Sequence, residues 1–234
     1  MELLTKLLSE ILTLAVVILG GGFLWYWYLR SKNPHYIDES LYEKEEYEII
    51  KKKLNDSLSK DSSNYELLCD LGFIYRITGD NESAIQCYEK ALEINPANNV
   101  ETMTELARAY AEKIETAAKA NELFKKVRGD YADEQLFLED YEAHYVEIMG
   151  WIHLQKGDSV KAFGYYEQIY PMWQEYLKKH EKKYHVSFAE LHYHFGIYLK
   201  RKGDMEKARS EWEKAIKQPL KNIFAIKAEQ ELQK

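Results

Sequence analysis

His185, His192 and His194 come nearest, by residue type and spacing, to a metal or proton-transfer site. Side chains two residues apart on a helix point to different faces, so His192 and His194 do not form a helical ligand pair. The histidines are therefore expected in the core or on the surface, with no metal. The two cysteines, Cys69 and Cys87, stand eighteen residues apart on different expected helices, which excludes a zinc knuckle and a C-x-x-C redox pair. They are expected as reduced, partly buried thiols. No Gly-rich phosphate loop, H-E-x-x-H, G-x-S-x-G or kinase signature occurs. No catalytic residue and no cofactor is assigned, and the expected mode of action is binding rather than catalysis.

Charge narrows the class of partner. The net charge is −7, and the Lys-rich runs at Lys51–Lys53 and Lys178–Lys183 are interleaved with or flanked by acidic residues. Solvated helix faces account for both runs, and nucleic acid is excluded as an expected partner. Few prolines and glycines against abundant Glu, Lys, Leu and Ala favour an all-α chain.

Two kinds of element must position any binding site. The first is an uninterrupted apolar stretch from Ile11 to Tyr28, eighteen residues that span about 27 Å as a helix, close to the hydrocarbon thickness of a bilayer. Trp25, Tyr26, Trp27 and Tyr28 crowd one end, where amphipathic rings suit the headgroup level. Phe23, Leu24 and Trp25 continue the run past Gly20–Gly22, and no A-x-A-like site follows, which argues against a cleaved signal peptide. Lys6 on one side against Arg30, Lys32 and Lys44 on the other places the C-terminal part in the cytoplasm, with the periplasm as the alternative.

The second element repeats. Gly72, Gly150 and Gly196 each precede an alanine, Ala84, Ala162 and Ala208, by twelve positions. Each pair brackets the same turn: Thr78-Gly79-Asp80, Lys156-Gly157-Asp158 and Lys202-Gly203-Asp204. Gly suits a left-handed helix end and Asp an N-cap, so the unit is helix, tight turn, helix. A further copy carries Leu106-Ala107, Tyr110, Ala120 and Phe124 but lacks the glycine, and a longer or looser turn is expected at Glu112–Glu115.

The first copy reads Leu68-x2-Leu71-Gly72-x2-Tyr75, then Ala84-x3-Tyr88, Ala91 and Pro96, and resembles the tetratricopeptide repeat pattern. The copies around Gly150 and Gly196 are similar, with His153 and His192 at positions where the pattern has larger or apolar residues. The resemblance implies an α-solenoid of about four helix-turn-helix repeats over residues 65–218. Tyr75, Tyr88, Tyr110, Tyr166 and Trp212 would be core wedges. Residues 39–64 and 219–234 are expected as capping helices, the latter packing through Ile223, Ile226 and Leu232. Residues 1–30 would be the anchor and 31–38 a linker.

The resemblance also implies a concave groove on the first helices that binds protein segments. One residue after each small position stand Phe73, Arg108, Trp151 and Ile197; one turn earlier stand Cys69, Thr104, Glu147 and Tyr193; one turn later stand Ile77, Gln155 and Arg201. Phe73, Trp151 and Tyr193 would anchor a partner segment, with Arg108, Lys200 and Arg201 meeting its polar groups. The competing expectation is a terminal helix of the chain itself in that groove. Members that clamp a chaperone C-terminus use Lys and Asn where Cys69, Phe73 and Glu105 stand here, which disfavours that role.

Together these readings give a single-pass, membrane-anchored interaction scaffold. Its expected partner is a membrane protein or a segment of one, its second contact is the bilayer, and its role lies in assembly or regulation of a membrane complex. The alternatives are a periplasmic envelope chaperone or maturation factor, and an organellar outer-membrane import receptor.

Overall fold

Apolar residues recurring every three to four positions and capped by Asn or Asp produce helices throughout the part of the chain that can be described. In the computed structural model these are residues 46–96, 100–130, 135–179, 186–218 and 221–234. They contain ten helices and no strand: α1 (Tyr47–Leu58), α2 (Tyr65–Thr78), α3 (Asn81–Ile94), α4 (Val100–Ala111), α5 (Ala117–Asp130), α6 (Gln135–Gln155), α7 (Ser159–Lys179), α8 (Val186–Lys202), α9 (Met205–Ile216) and α10 (Ile223–Leu232). The Ile11–Tyr28 stretch and the 31–38 linker lie outside the described residues. Among the described residues no helix is long and apolar enough to cross a membrane.

Four hairpins, α2/α3, α4/α5, α6/α7 and α8/α9, follow one another, with α1 packed on α2 and α10 on α9 and α8. The turns expected from sequence are present. Gly79, Gly157 and Gly203 hold φ of 92°, 75° and 92°. Asp80, Asp158 and Asp204 then accept from the backbone N–H three residues on, at 3.1, 3.2 and 3.2 Å. The α4/α5 turn has no glycine and runs over five residues, Glu112–Thr116, with the Thr116 hydroxyl donating to the Tyr110 carbonyl at 2.6 Å.

Steric need explains the small residues. A Cβ on Gly72 would lie 2.8 Å from the Tyr88 ring, one on Gly150 2.9 Å from the Tyr166 ring, and one on Gly196 2.1 Å from Trp212 Nε1. That indole N–H donates to the Tyr193 carbonyl at 3.3 Å, so a large ring lies directly on the backbone of α8. Tyr88, Tyr166 and Trp212 are each at most 1% exposed, which makes them the wedges that hold the hairpins together.

At the C-terminus the expected stripe packs in part, with Ile223 and Leu232 partly buried. Ile226 is exposed, and Phe224, Ala225 and Ala228 are the buried residues. The two alanines let α10 approach its neighbours closely and seat Phe224. Helix α10 also reaches α2: Ile223 lies against Gly79, and Tyr47 on α1 donates to the Lys221 carbonyl at 3.0 Å. The stack of hairpins thus closes on itself.

Candidate functional site

The first helices α2, α4, α6 and α8 touch in sequence and form the inner wall of the stack. Along that wall, one charged residue from each of the four helices faces the centre rather than solvent. Arg76 on α2, Arg108 on α4, and Glu147 and Glu190 on α6 and α8 are each at most 2% exposed.

Such burial is tolerable only with partners. Glu190 Oε2 accepts from Arg76 Nη1 at 2.9 Å and faces Arg108 Nη1 at 3.1 Å. Arg76 Nε pairs with Glu105 at 2.7 Å, and Arg108 Nη1 with Glu147 Oε2 at 3.3 Å. Arg108 Nη2 lies 2.6 Å from His144 Nδ1, which must therefore accept. Burial alone would raise the Glu190 carboxyl, but the two guanidinium groups outweigh it and hold it down at about 2.

His194 continues the network. Its Nδ1 lies 2.6 Å from Glu147 Oε1, an acceptor, so Nδ1 carries a proton. Nε2 faces Glu112 Oε1 at 3.6 Å, beyond hydrogen-bond reach, and both atoms are buried without a hydrogen-bond partner. Burial would lower the His194 pKa, yet Glu147 and Glu112 push it up to about 9. Glu112 binds Lys227 of α10 at 2.8 Å through its other oxygen. Trp151 stacks on the imidazole, with ring centroids 3.9 Å apart and an interplanar angle of 15°.

The groove residues expected from sequence divide into two sets. Ile77, Thr104, Arg108, Glu147 and Trp151 are buried, and Arg108, Glu147 and Trp151 belong to the network just described. Gln155 donates to the Ala111 carbonyl at 2.5 Å, Arg201 to the Leu154 carbonyl at 2.6 Å, and Lys200 pairs with Glu231 of α10 at 2.6 Å. Cys69 shares a hydrogen bond with Thr102 at 3.3 Å. Phe73, Tyr193 and Ile197 are only partly buried. Phe224 of α10 packs edge-on against His194, with centroids 5.8 Å apart, and Lys227 lies 5.7 Å above the Tyr193 ring. A terminal helix of the chain thus occupies one side of the expected groove.

Sequence reasoning missed Arg76, Glu105 as a partner of Arg76, Glu112, His144, Glu190 and Lys227. The available signal was spacing: Glu105, Arg108 and Glu112, and Glu190 and His194, recur at three or four residues on helices whose inward face was already assigned. His192 does point away from His194, as expected, and its Nδ1 contacts Glu211 at 2.7 Å. Both cysteines are free, and burial pushes the Cys87 thiol up to about 11 and the Cys69 thiol in the same direction, so neither is an activated nucleophile.

Fold and site together define an all-α stack of helical hairpins carrying a tetratricopeptide repeat. Residues 65–98, which comprise α2, its Gly-Asp turn and α3, match the family described as Tetratricopeptide repeat. No curated protein matches the sequence. Among solved structures, the crystal structure of MamA protein is similar with a TM-score of 0.42 and 19% identity, over 77% of this chain and 86% of that one.

Proposed function

We propose that this chain is a protein-interaction scaffold, held at a membrane surface by the Ile11–Tyr28 segment, that recruits a membrane protein or a segment of one. The tetratricopeptide repeat at 65–98 supports the binding role, since stacked hairpins of this kind present one continuous inner wall to a partner. The observation that carries the reading is the set of apolar side chains left partly exposed on that wall, Phe73 on α2 and Tyr193 and Ile197 on α8, the helix that also carries the cations Lys200 and Arg201. A rigid buried network behind them supplies pre-organisation, so little side-chain entropy is lost on binding.

The membrane component rests on the length and apolarity of Ile11–Tyr28. An anchor confines the repeat unit to a thin layer and raises its effective concentration toward membrane partners. Cross-linking and affinity capture from membranes test the reading. Recovery of the same membrane protein by the full chain, and its loss on Phe73→Ala or Ile197→Ala, is expected. Capture indifferent to both substitutions removes the inner wall as the docking surface.

A further inference from the structure

Two buried polar atoms that face each other without a hydrogen bond form a candidate pair of ligands for a shared ion. His194 Nε2 and Glu112 Oε1 are in that position, 3.6 Å apart, with the His194 side chain 2% and the Glu112 side chain 6% exposed. A carboxylate oxygen of Glu190 joins them, so that one ligand atom from each residue lies within 4.8 Å of the other two. We propose that Glu112, Glu190 and His194 bind a divalent transition-metal ion such as Zn2+.

The closest ligand pair fits: His194 Nε2 and Glu112 Oε1 are 3.6 Å apart, and the Glu190 oxygen, within 4.8 Å of both, closes in to complete the set. Bonds of about 2.0–2.2 Å at tetrahedral angles place neighbouring donor atoms roughly 3.4 Å apart. One imidazole with two carboxylates suits zinc and its first-row neighbours rather than magnesium or calcium. The outer contacts fit as well. The other nitrogen of His194 donates to Glu147, the carboxylate–histidine arrangement that orients a metal ligand and holds its tautomer. Each carboxylate ligand is also fastened from behind, Glu112 by Lys227 and Glu190 by Arg76 and Arg108.

Charge is compatible with a cation in the same place when His194 is neutral. Glu105, Glu112, Glu147 and Glu190 give four negative charges against three positive from Arg76, Arg108 and Lys227. With His194 neutral the cluster carries one surplus negative charge. A proton on Nε2 or a metal ion meets it, and the two compete for the same lone pair.

The proposed ion connects separate parts of the fold. Glu112 lies in the glycine-free α4/α5 turn, and Glu190 and His194 lie on α8. Glu112 also binds α10 through Lys227. The ion would thus tie the second hairpin to the fourth and, indirectly, to the terminal helix. The inference is independent of the scaffold reading, because it concerns what holds the inner wall rather than what docks on it.

The test uses the purified full-length chain stripped with chelator. Titration with Zn2+ followed by calorimetry is expected to show one tight equivalent, lost in His194→Gln and Glu112→Gln and retained in His153→Gln. Co2+ substitution reads the donor set on the unaltered chain, so a misfolded variant does not decide the matter. A tetrahedral or five-coordinate d–d spectrum without thiolate charge transfer is expected. Absence of a saturable site overturns the proposal, with His194 then carrying a proton only. Binding that survives both substitutions in folded protein, as judged by circular dichroism, overturns it equally, because the ion then sits on other residues.

Discussion

Arg76 and Glu190 are 114 residues apart in sequence and 2.9 Å apart in space, with side chains 1% and 2% exposed. This pair joins the first hairpin to the last across the centre of the stack. A linear solenoid, in which each repeat touches only its neighbours, would not bring them together. The chain combines local hairpins with one long-range electrostatic closure.

Glu190→Gln tests that closure. It leaves Arg76 and Arg108 buried with one carboxylate fewer, a change that costs about 3–5 kcal/mol when the remaining charge stays uncompensated. A large loss in chemical-denaturation midpoint is expected. Replacing Lys202, whose pairing with Glu167 is solvent-exposed, should leave the midpoint almost unmoved. Equal effects would show that the buried network does not hold the hairpins together.

Glycine substitutions should separate steric from conformational cost. Gly196→Ala drives a Cβ to 2.1 Å from the Trp212 indole and forces the wedge out of its seat. Overpacking of this kind costs about 1–3 kcal/mol or more. Gly157→Ala meets no atom within 4 Å and carries only the strain of a φ of 75°, about 1–2 kcal/mol. Thermal unfolding should rank Gly196→Ala as the worse, with Trp212 fluorescence altered only there.

Glu211 predicts a pH dependence. Burial would raise its carboxyl, but hydrogen bonds from His192 and Lys214 outweigh burial and hold it below the ordinary value of 4.5. A depressed carboxyl stabilises the fold fully above its unfolded value, and that contribution disappears as pH falls through the folded one. Stability of the unaltered chain should therefore decline on acidification below about pH 4.5. Glu211→Gln should lower stability near neutrality and flatten this acid limb, as measured by denaturation at a series of pH values.

Much of this architecture was legible locally. Gly79-Asp80, Gly157-Asp158 and Gly203-Asp204 announce turns because backbone handedness and capping are properties of adjacent residues. Gly72, Gly150 and Gly196 announce close crossings because the aromatic wedge lies at a regular distance along the chain. The inner network was not legible in the same way. Arg76, Glu190 and His194 are charged, and charge ordinarily signals solvent; their burial depends on partners from other helices, up to 114 residues away, or from the irregular turn that carries Glu112. The α10 face was legible in part: Ile223 and Leu232 pack as expected, but Phe224, Ala225 and Ala228 bury more fully and Ile226 faces solvent.

Phe224→Ala probes α10 itself. Deleting a fully buried ring costs about 3–5 kcal/mol, and here it also uncovers the edge of His194. Local release of α10 is expected before global unfolding. Hydrogen exchange should accelerate along α10 and the facing turns of α8 while α2 and α3 stay protected. Uniform acceleration would make α10 an integral part of the cooperative unit rather than a separable closure.

The proposed anchor and the inner wall should be separable in a capture experiment. Removing residues 1–30 takes away the whole apolar stretch while leaving the Glu39–Lys234 unit, which has its own internal packing. Fractionation should then move the chain from membranes to the soluble phase, and partner recovery should fall because effective concentration at the membrane is lost, not because the wall is altered. Phe73→Ala or Ile197→Ala in the full chain should give the opposite pattern, with membrane association kept and partner recovery reduced about tenfold, near 1.4 kcal/mol per anchor side chain. A truncated chain that stays with membranes would show that the repeat unit, not Ile11–Tyr28, provides the attachment. Because the two classes of variant act on different steps, adding excess truncated chain should compete for the partner only when the wall is intact.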